Sequence, residues 1–215
     1  GTCRDSTNSA NLTISSTITK RLDAAWAVGS GNGGRDTGSI ADGWWHVYAI
    51  YRPDTQVTDV LFSLSPTAPT LPTNYTLFRR LFSVLRASGA LVGFKQYGDV
   101  FKWDTQRVDR TGTGAVANSL LTLSVPTGFN VLPLFVADMV LSGAGDAIML
   151  MSDGVASAAA SSVCRTNLAS QNVVNVVSGL FVTNTSAQVR FEQIVNSGTL
   201  SSARIQTQGW IDRRA

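Results

Sequence analysis

The chain has 215 residues, of which 44% are hydrophobic and 14% charged, and its formal net charge is +3. Average soluble domains carry roughly 25% charged residues, so Ser, Thr, Asn and Gly must supply most of the polar surface here. Glu192 is the sole Glu and Lys occurs only at 20, 95 and 102; this shortage of helix-surface residues argues against a helical protein, while Thr, Val, Ser and Gly favour strands and turns.

There is no Lys/Arg-rich run, and Arg79-Arg80 and Arg213-Arg214 are no more than pairs. Without a basic stripe carrying aromatic residues, no nucleic-acid partner is expected. No run approaches the ~18 apolar residues of a membrane span, so no membrane insertion is expected. There is no signal-peptide pattern, and the chain opens at Gly1, which reads as a fragment or processed product. Cys3 and Cys164 form neither a disulfide framework nor a zinc motif. They read as two unpaired thiols, with Cys3 in a mobile start; a single bridge between them is the alternative. The sequons at Asn11, Asn74 and Asn184 are expected by chance in so Asn/Ser/Thr-rich a chain.

Residues 1–20 set Leu12, Ile14 and Ile18 among Thr and Ser and read as one or two exposed strands. Residues 20–28 follow, with Leu22, Ala24 and Trp26 at strand spacing. Residues 29–38 are glycine-rich. A phosphate cradle would need Gly-Lys-Ser/Thr between a strand and a helix, so the run reads instead as a flexible connection with positive-φ positions. The densest run comes next: residues 43–51 carry two of the five tryptophans and the only histidine. Trp45, Val47, Ala49 and Tyr51 fall on one face, and Trp44, His46, Tyr48 and Ile50 on the other. Neither face is polar. The strand therefore belongs at the centre of a sandwich, or has its outer face covered by another sheet or subunit. Residues 52–56 form a turn, 57–64 return as a strand, and the proline-bearing 65–72 form an extended loop.

In residues 75–97, Leu77, Phe78, Leu81, Phe82 and Leu85 fit helical spacing. The turn signal at 86–89 and the apolar run at 90–97 favour a hairpin instead. A short strand is expected at 100–103 and a long polar loop at 104–118. Further strands are expected at 119–125, 130–140, 146–152, 172–183, 187–195 and 203–212. Residues 155–163 read as a short helix or a low-complexity loop. Short strands punctuated by Gly and Pro indicate a sandwich or barrel.

No catalytic constellation emerges. His46 lies inside an aromatic strand with no nucleophile elbow and reads as structural. Asp99, Asp104 and Asp109 are available as paired carboxylates, but solvated turn residues are the better reading. Cys164 beside Arg165 suggests a lowered thiol pKa. No metal site and no cofactor are expected. For binding, aromatic rings at loop ends offer faces on which sugars stack. Trp44, Tyr75, Tyr97 and Trp103 are the candidates, and core or interface packing is the competing reading for each.

Several segments resemble those of bacteriophage tail-fibre and related virion proteins: Arg4-Asp5-Ser6-Thr7-Asn8, residues 18–29 with the glycine loop and residues 36–40, and Trp44-Trp45-His46-Val47-Tyr48. The likeness continues through residues 59–63, 66–75 and 79–81, and the ending Gly209-Trp210-Ile211-Asp212-Arg213-Arg214 also resembles the closing strand of such proteins. Residues 43–64 are further similar to one hairpin of laminin-G-like and concanavalin-like jelly rolls. The resemblance implies a non-enzymatic homotrimer on the particle surface, touching other virion proteins and host surface polysaccharide. A lectin-like module and a polysaccharide depolymerase are the alternatives. The expected fold is all-β, an antiparallel, jelly-roll-like β-sandwich with little helix. Residues 1–30 are expected as a lead-in and 31–215 as a single sandwich domain.

Overall fold

A computed structural model describes residues 1–167 and 169–213. Among these residues there are strands and turns but no helix, as the composition required. The chain forms two compact units, Gly1–Val92 and Gly93–Arg213. The division thus falls beyond residue 90, not at the expected residue 30.

The first unit contains β1 (Thr2–Arg4), β2 (Asn11–Thr13), β3 (Arg21–Ala25), β4 (Gly33–Arg35), β5 (Gly43–Arg52), β6 (Val57–Ser63), β7 (Leu77–Ala87) and β8 (Ala90–Leu91). β1 and β2 form a hairpin, and the others form one sheet in the order β3-β4-β6-β5-β7-β8. The aromatic strand β5 is central, antiparallel to β6 on one side and β7 on the other. Trp45, Val47, Tyr48, Ala49 and Ile50 are at most 2% exposed. Both faces of β5 are therefore covered within a single chain. One of them carries a cluster of Tyr48, Ile50, Leu61 and Tyr75, packed by Trp26, Leu71 and Phe78. The helical spacing in residues 77–85 is a coincidence of a long strand, β7, which turns through Ser88 and Gly89 into β8.

Residues 1–30 are not a detached lead-in, and their start is anchored. The turn after β1 is built on the Asp5 carboxylate, which accepts N–H bonds from Thr7, Ser9 and Ala10 at 2.8, 2.7 and 2.6 Å. The Thr7 hydroxyl and these amides hold the Asp5 carboxyl well below the usual carboxylate range. Ser6 donates from its N–H and its hydroxyl to the Phe78 carbonyl at 2.8 and 2.7 Å. Cys3 pairs with Leu12 across the hairpin, and no disulfide joins it to Cys164.

The glycine-rich run is likewise structural. Gly33 and Gly34 are buried in β4, which runs parallel to β3 and β6. A Cβ on Gly33 would lie 2.0 Å from the Ala25 carbonyl oxygen, so only glycine fits. The preceding loop is held by a buried ion pair. Lys20 Nζ lies 2.9 Å from Asp59 Oδ2, and both side chains are at most 2% exposed. Lys20 also donates to the Ala27 carbonyl at 2.7 Å, while Asp59 accepts from Gly29 N–H at 2.9 Å and Val60 N–H at 2.7 Å. With its remaining valences satisfied, such a pair survives burial.

The second unit contains β9 (Phe94–Tyr97), β10 (Val100–Thr111), β11 (Val116–Thr122), β12 (Leu132–Leu141), β13 (Asp146–Ser152), β14 (Ser161–Thr166), β15 (Asn172–Ser178), β16 (Gln188–Ser197) and β17 (Leu200–Ile211). Its sheets are β15-β12-β17-β10-β9 and β11-β16-β13-β14. The pairs β10–β17, β11–β16, β12–β15 and β13–β14 are nested, all antiparallel. They describe one long double ribbon. Rolling it brings β12 onto β17 and β13 onto β16, which is the eight-stranded jelly roll. The β9–β10 hairpin adds a ninth strand at one edge. The jelly roll thus lies in the second unit, not around residues 43–64. Its interior takes alternate residues: Phe135, Ala137, Met139 and Leu141 from β12, Ala147, Met149 and Met151 from β13, and Val189 and Phe191 from β16.

Three segments differ from expectation. Residues 104–118 are not a loop; they complete β10 and begin β11. Residues 155–160 form the loop of the two alternatives, which closes the ribbon between β13 and β14, while 161–163 begin β14. The run 90–97 is not one strand, since β8 ends the first unit and β9 begins the second.

Removing either partner of the buried pair leaves an uncompensated charge. Lys20→Ala or Asp59→Ala should each cost the first unit about 3–5 kcal/mol in urea denaturation. Arg21→Ala should cost under ~1 kcal/mol, because the Arg21–Asp23 pair is 3.7 Å long with side chains 62% and 68% exposed. Equal effects would refute this role for the pair.

Candidate functional site

The largest of the register shifts in the jelly roll lies where β10 pairs with β17. Lys102 pairs with Gly209, and the next pair is Arg107 with Thr207. Trp103, Asp104, Thr105 and Gln106 therefore stand opposite Gln208 alone. On its other side β17 also carries Gln208 as an extra residue against β12, between the pairs Leu134–Gly209 and Phe135–Thr207. A bulge of this kind bends the strand and re-aims its side chains. Gly209 permits the crossing, since a Cβ there would sit 1.9 Å from the Phe101 carbonyl oxygen.

The bulge opens a pocket of about 230 Å³ lined by Lys102, Trp103, Asp104, Gln106 and Gln208. Beneath it lies an aromatic cluster. Phe101 stacks on Trp210 at 5.1 Å and 4°, Trp103 lies 5.0 Å from Trp210, and Phe94 packs against all three. The Trp103 indole N–H donates to the Ser124 carbonyl at 2.9 Å. Asp109, further along β10, accepts from Ser124 N–H at 2.9 Å, from its hydroxyl at 2.6 Å, and from the Thr207 hydroxyl. Burial raises the Asp109 carboxyl above its ordinary pKa, against the pull of those bonds. The floor is thus fixed by packing and hydrogen bonds, while the polar rim projects outward.

The structure separates the four aromatic candidates. Tyr75 is buried in the first unit's core, its ring edge-on to Trp26 at 5.1 Å. Trp103 is buried with only its rim on the pocket. Neither offers a stacking face. Trp44 is half-buried near the start of β5, and Tyr97 is exposed at the end of β9. They belong to different units and make no common platform within one. Of the three aspartates, Asp104 reaches the pocket, Asp109 is spent on Ser124 and Thr207, and Asp99 sits at the β9–β10 turn, where its carbonyl accepts from Asp212 N–H at 2.9 Å. Gln106 and Gln208 were not singled out in the sequence. The extra residues of a bulge have no local signature, and the polar run that contains Gln106 resembles a loop.

His46 Nδ1 and Ser83 Oγ lie 2.9 Å apart, but both residues are buried, leaving no path for a substrate to the hydroxyl. Burial, with Arg80 adding to it, pulls the His46 pKa down to about 4. Cys164 departs from its expected activation. Its thiol is pushed up to about 11 by burial and by Asp138, while Arg165 is committed to Asp146 at 3.0 and 3.2 Å. Among the described residues no group of three or more His, Cys, Asp or Glu is placed to hold a metal ion. No family model, curated protein or solved structure matches the chain.

The His46 shift makes stability depend on pH. In the unfolded chain the imidazole takes up its proton below about pH 6.5, but in the fold only below about pH 4. The unfolded state binds more protons between these values, so acidification through that window should remove up to about 3 kcal/mol. His46→Gln lacks this term. The stability gap between wild type and His46→Gln should narrow by about that amount from pH 7 to pH 4 in urea titrations; a constant gap would contradict it.

Proposed function

We propose that this chain is a non-enzymatic structural module of a bacteriophage particle, a fibre, spike or head decoration, that assembles as a homotrimer at the particle surface and touches host glycans. The order of segments resembling tail-fibre and virion proteins supports the reading. So does the jelly roll, an architecture used by viral capsid and lectin domains, though a fold alone does not assign a function.

The observation that carries the assembly is the outer edge of the five-stranded sheet. β15 is an edge strand with Val174 51% and Val176 69% exposed, followed by Leu180 at 72%. It has no charge, no proline and no bulge against β12, and so lacks the devices that keep edges apart. With Ser161, Ser162, Val163, Asn175, Val177 and Phe181, Val176 and Leu180 line a groove of about 340 Å³. The aromatic strand β5, by contrast, gives no reason for assembly, since its second face is already covered. A lectin-like reading of the same module is favoured by the pocket over the β10 bulge.

Light scattering of the purified chain at micromolar concentration should give three times the 22.8 kDa protomer mass. Val174→Lys with Val176→Lys should return it to the monomer with the fold intact by circular dichroism. A monomeric wild type would overturn the proposal.

A further inference from the structure

The pocket over the β10 bulge holds four polar side chains whose bonding capacity is unspent. Among the described residues, Lys102, Asp104, Gln106 and Gln208 make no side-chain hydrogen bond or ion pair, although the rest of the domain uses its polar side chains heavily: Asp109, Asp138, Asp146, Asn184 and Gln193 are each bonded. Their backbone is held in place by the bulge, by the Asp104 N–H bond to the Gly93 carbonyl at 3.1 Å, and by the packed indole of Trp103 beneath.

We propose that this pocket is a subsite for one uncharged pyranose ring of a host-surface glycan. The inference rests on the reading of the chain as a particle-surface protein that touches glycans, and it names the residues and the ligand class. The chemistry of the lining selects the class. One ammonium and one carboxylate cancel, so the pocket has no net charge with which to draw an anion or a cation. Four of its five lining residues are polar, which disfavours an apolar guest because it would strand them unpaired. A ring of hydroxyls both donates and accepts. It can give to Asp104, take from Lys102, and do either with the two carboxamides. The size agrees: about 230 Å³ is below the ~300 Å³ at which sites for drug-sized ligands begin, and suits one ring with the remainder of the glycan in solvent. Because only the rim of Trp103 faces the pocket, hydrogen bonds rather than ring stacking orient the sugar.

The test uses the full chain. Saturation-transfer NMR against methyl glycosides of glucose, galactose, mannose and N-acetylglucosamine is paired with an array of neutral, sialylated and sulfated glycans. Asp104→Asn, Gln106→Ala and Gln208→Ala are compared with wild type. Their thermal unfolding should match wild type, since the side chains bond to nothing inside the fold. The expected result is binding of neutral sugars, weakened about tenfold or more by Asp104→Asn, with the assembly mass unchanged. Wild-type binding that the variants leave intact would overturn the pocket and leave glycan contact standing elsewhere. A preference for sialylated or sulfated glycans would overturn the neutral assignment. Absence of any glycan signal from a chain that still assembles would overturn the subsite and leave the structural role in the particle.

Discussion

Alternation is the constraint on which the second unit depends. A strand with one buried face cannot gain a residue without turning every later side chain over. β17 obeys this until Thr207, with Ala203, Ile205 and Thr207 buried, and then changes phase so that Trp210 is buried instead. The extra residue at Gln208 effects the change, and β10 must absorb its own surplus at the same crossing. The phase change brings Trp210 against Phe101. The same surplus has no room inside and is displaced outward, carrying Asp104 and Gln106 to the pocket. Core packing and pocket are two consequences of one register defect.

The first unit solves a different problem. Its sheet contains a three-residue strand, β4, wedged in parallel between β3 and β6. So short a strand has little pairing energy of its own. It is held because Gly33 allows close approach and because the loop before it is tied to β6 through Lys20 and Asp59. The Lys20 ammonium also lies 5.2 Å from the Trp26 ring centre, and the Trp26 indole donates to the Val60 carbonyl at 3.1 Å. A buried charge beside the Trp26 ring thus links residues far apart in sequence, which is why residues 1–30 cannot be treated as an appendage.

What the sequence revealed follows from which residues are buried. Strand β13 was legible to its ends because Ala147, Met149 and Met151 alternate with half-exposed neighbours. Strand β5 was legible because aromatic residues crowd both faces. Strand β10 was not: beyond Trp103 it is largely exposed, and the bulge breaks its alternation, so the period-two signal disappears. Strand β14 was missed because Ser161 and Ser162 look like loop residues. The boundary between units passed unnoticed because Leu91, Val92, Gly93 and Phe94 form an apolar run with no linker composition. Of the candidate site, Trp103 and Asp104 had been noted, but for stacking and for catalysis. Convergence of Lys102, Gln106 and Gln208 depends on long-range register, which no local pattern encodes.

The scarcity of charge connects the apolar edge with the neutral pocket. A surface with few charges cannot steer a partner electrostatically, so recognition must come from contact. The proposed subsite for one sugar ring would work near the millimolar range, roughly 4 kcal/mol of binding, too weak for firm attachment by a single copy. Repetition remedies this: several linked copies raise avidity by about 10²–10⁴ without a new contact, provided their geometry lets them engage together. The assembly proposed at the unprotected β15 edge would therefore multiply the binding proposed at the β10 bulge, which a single chain would leave weak.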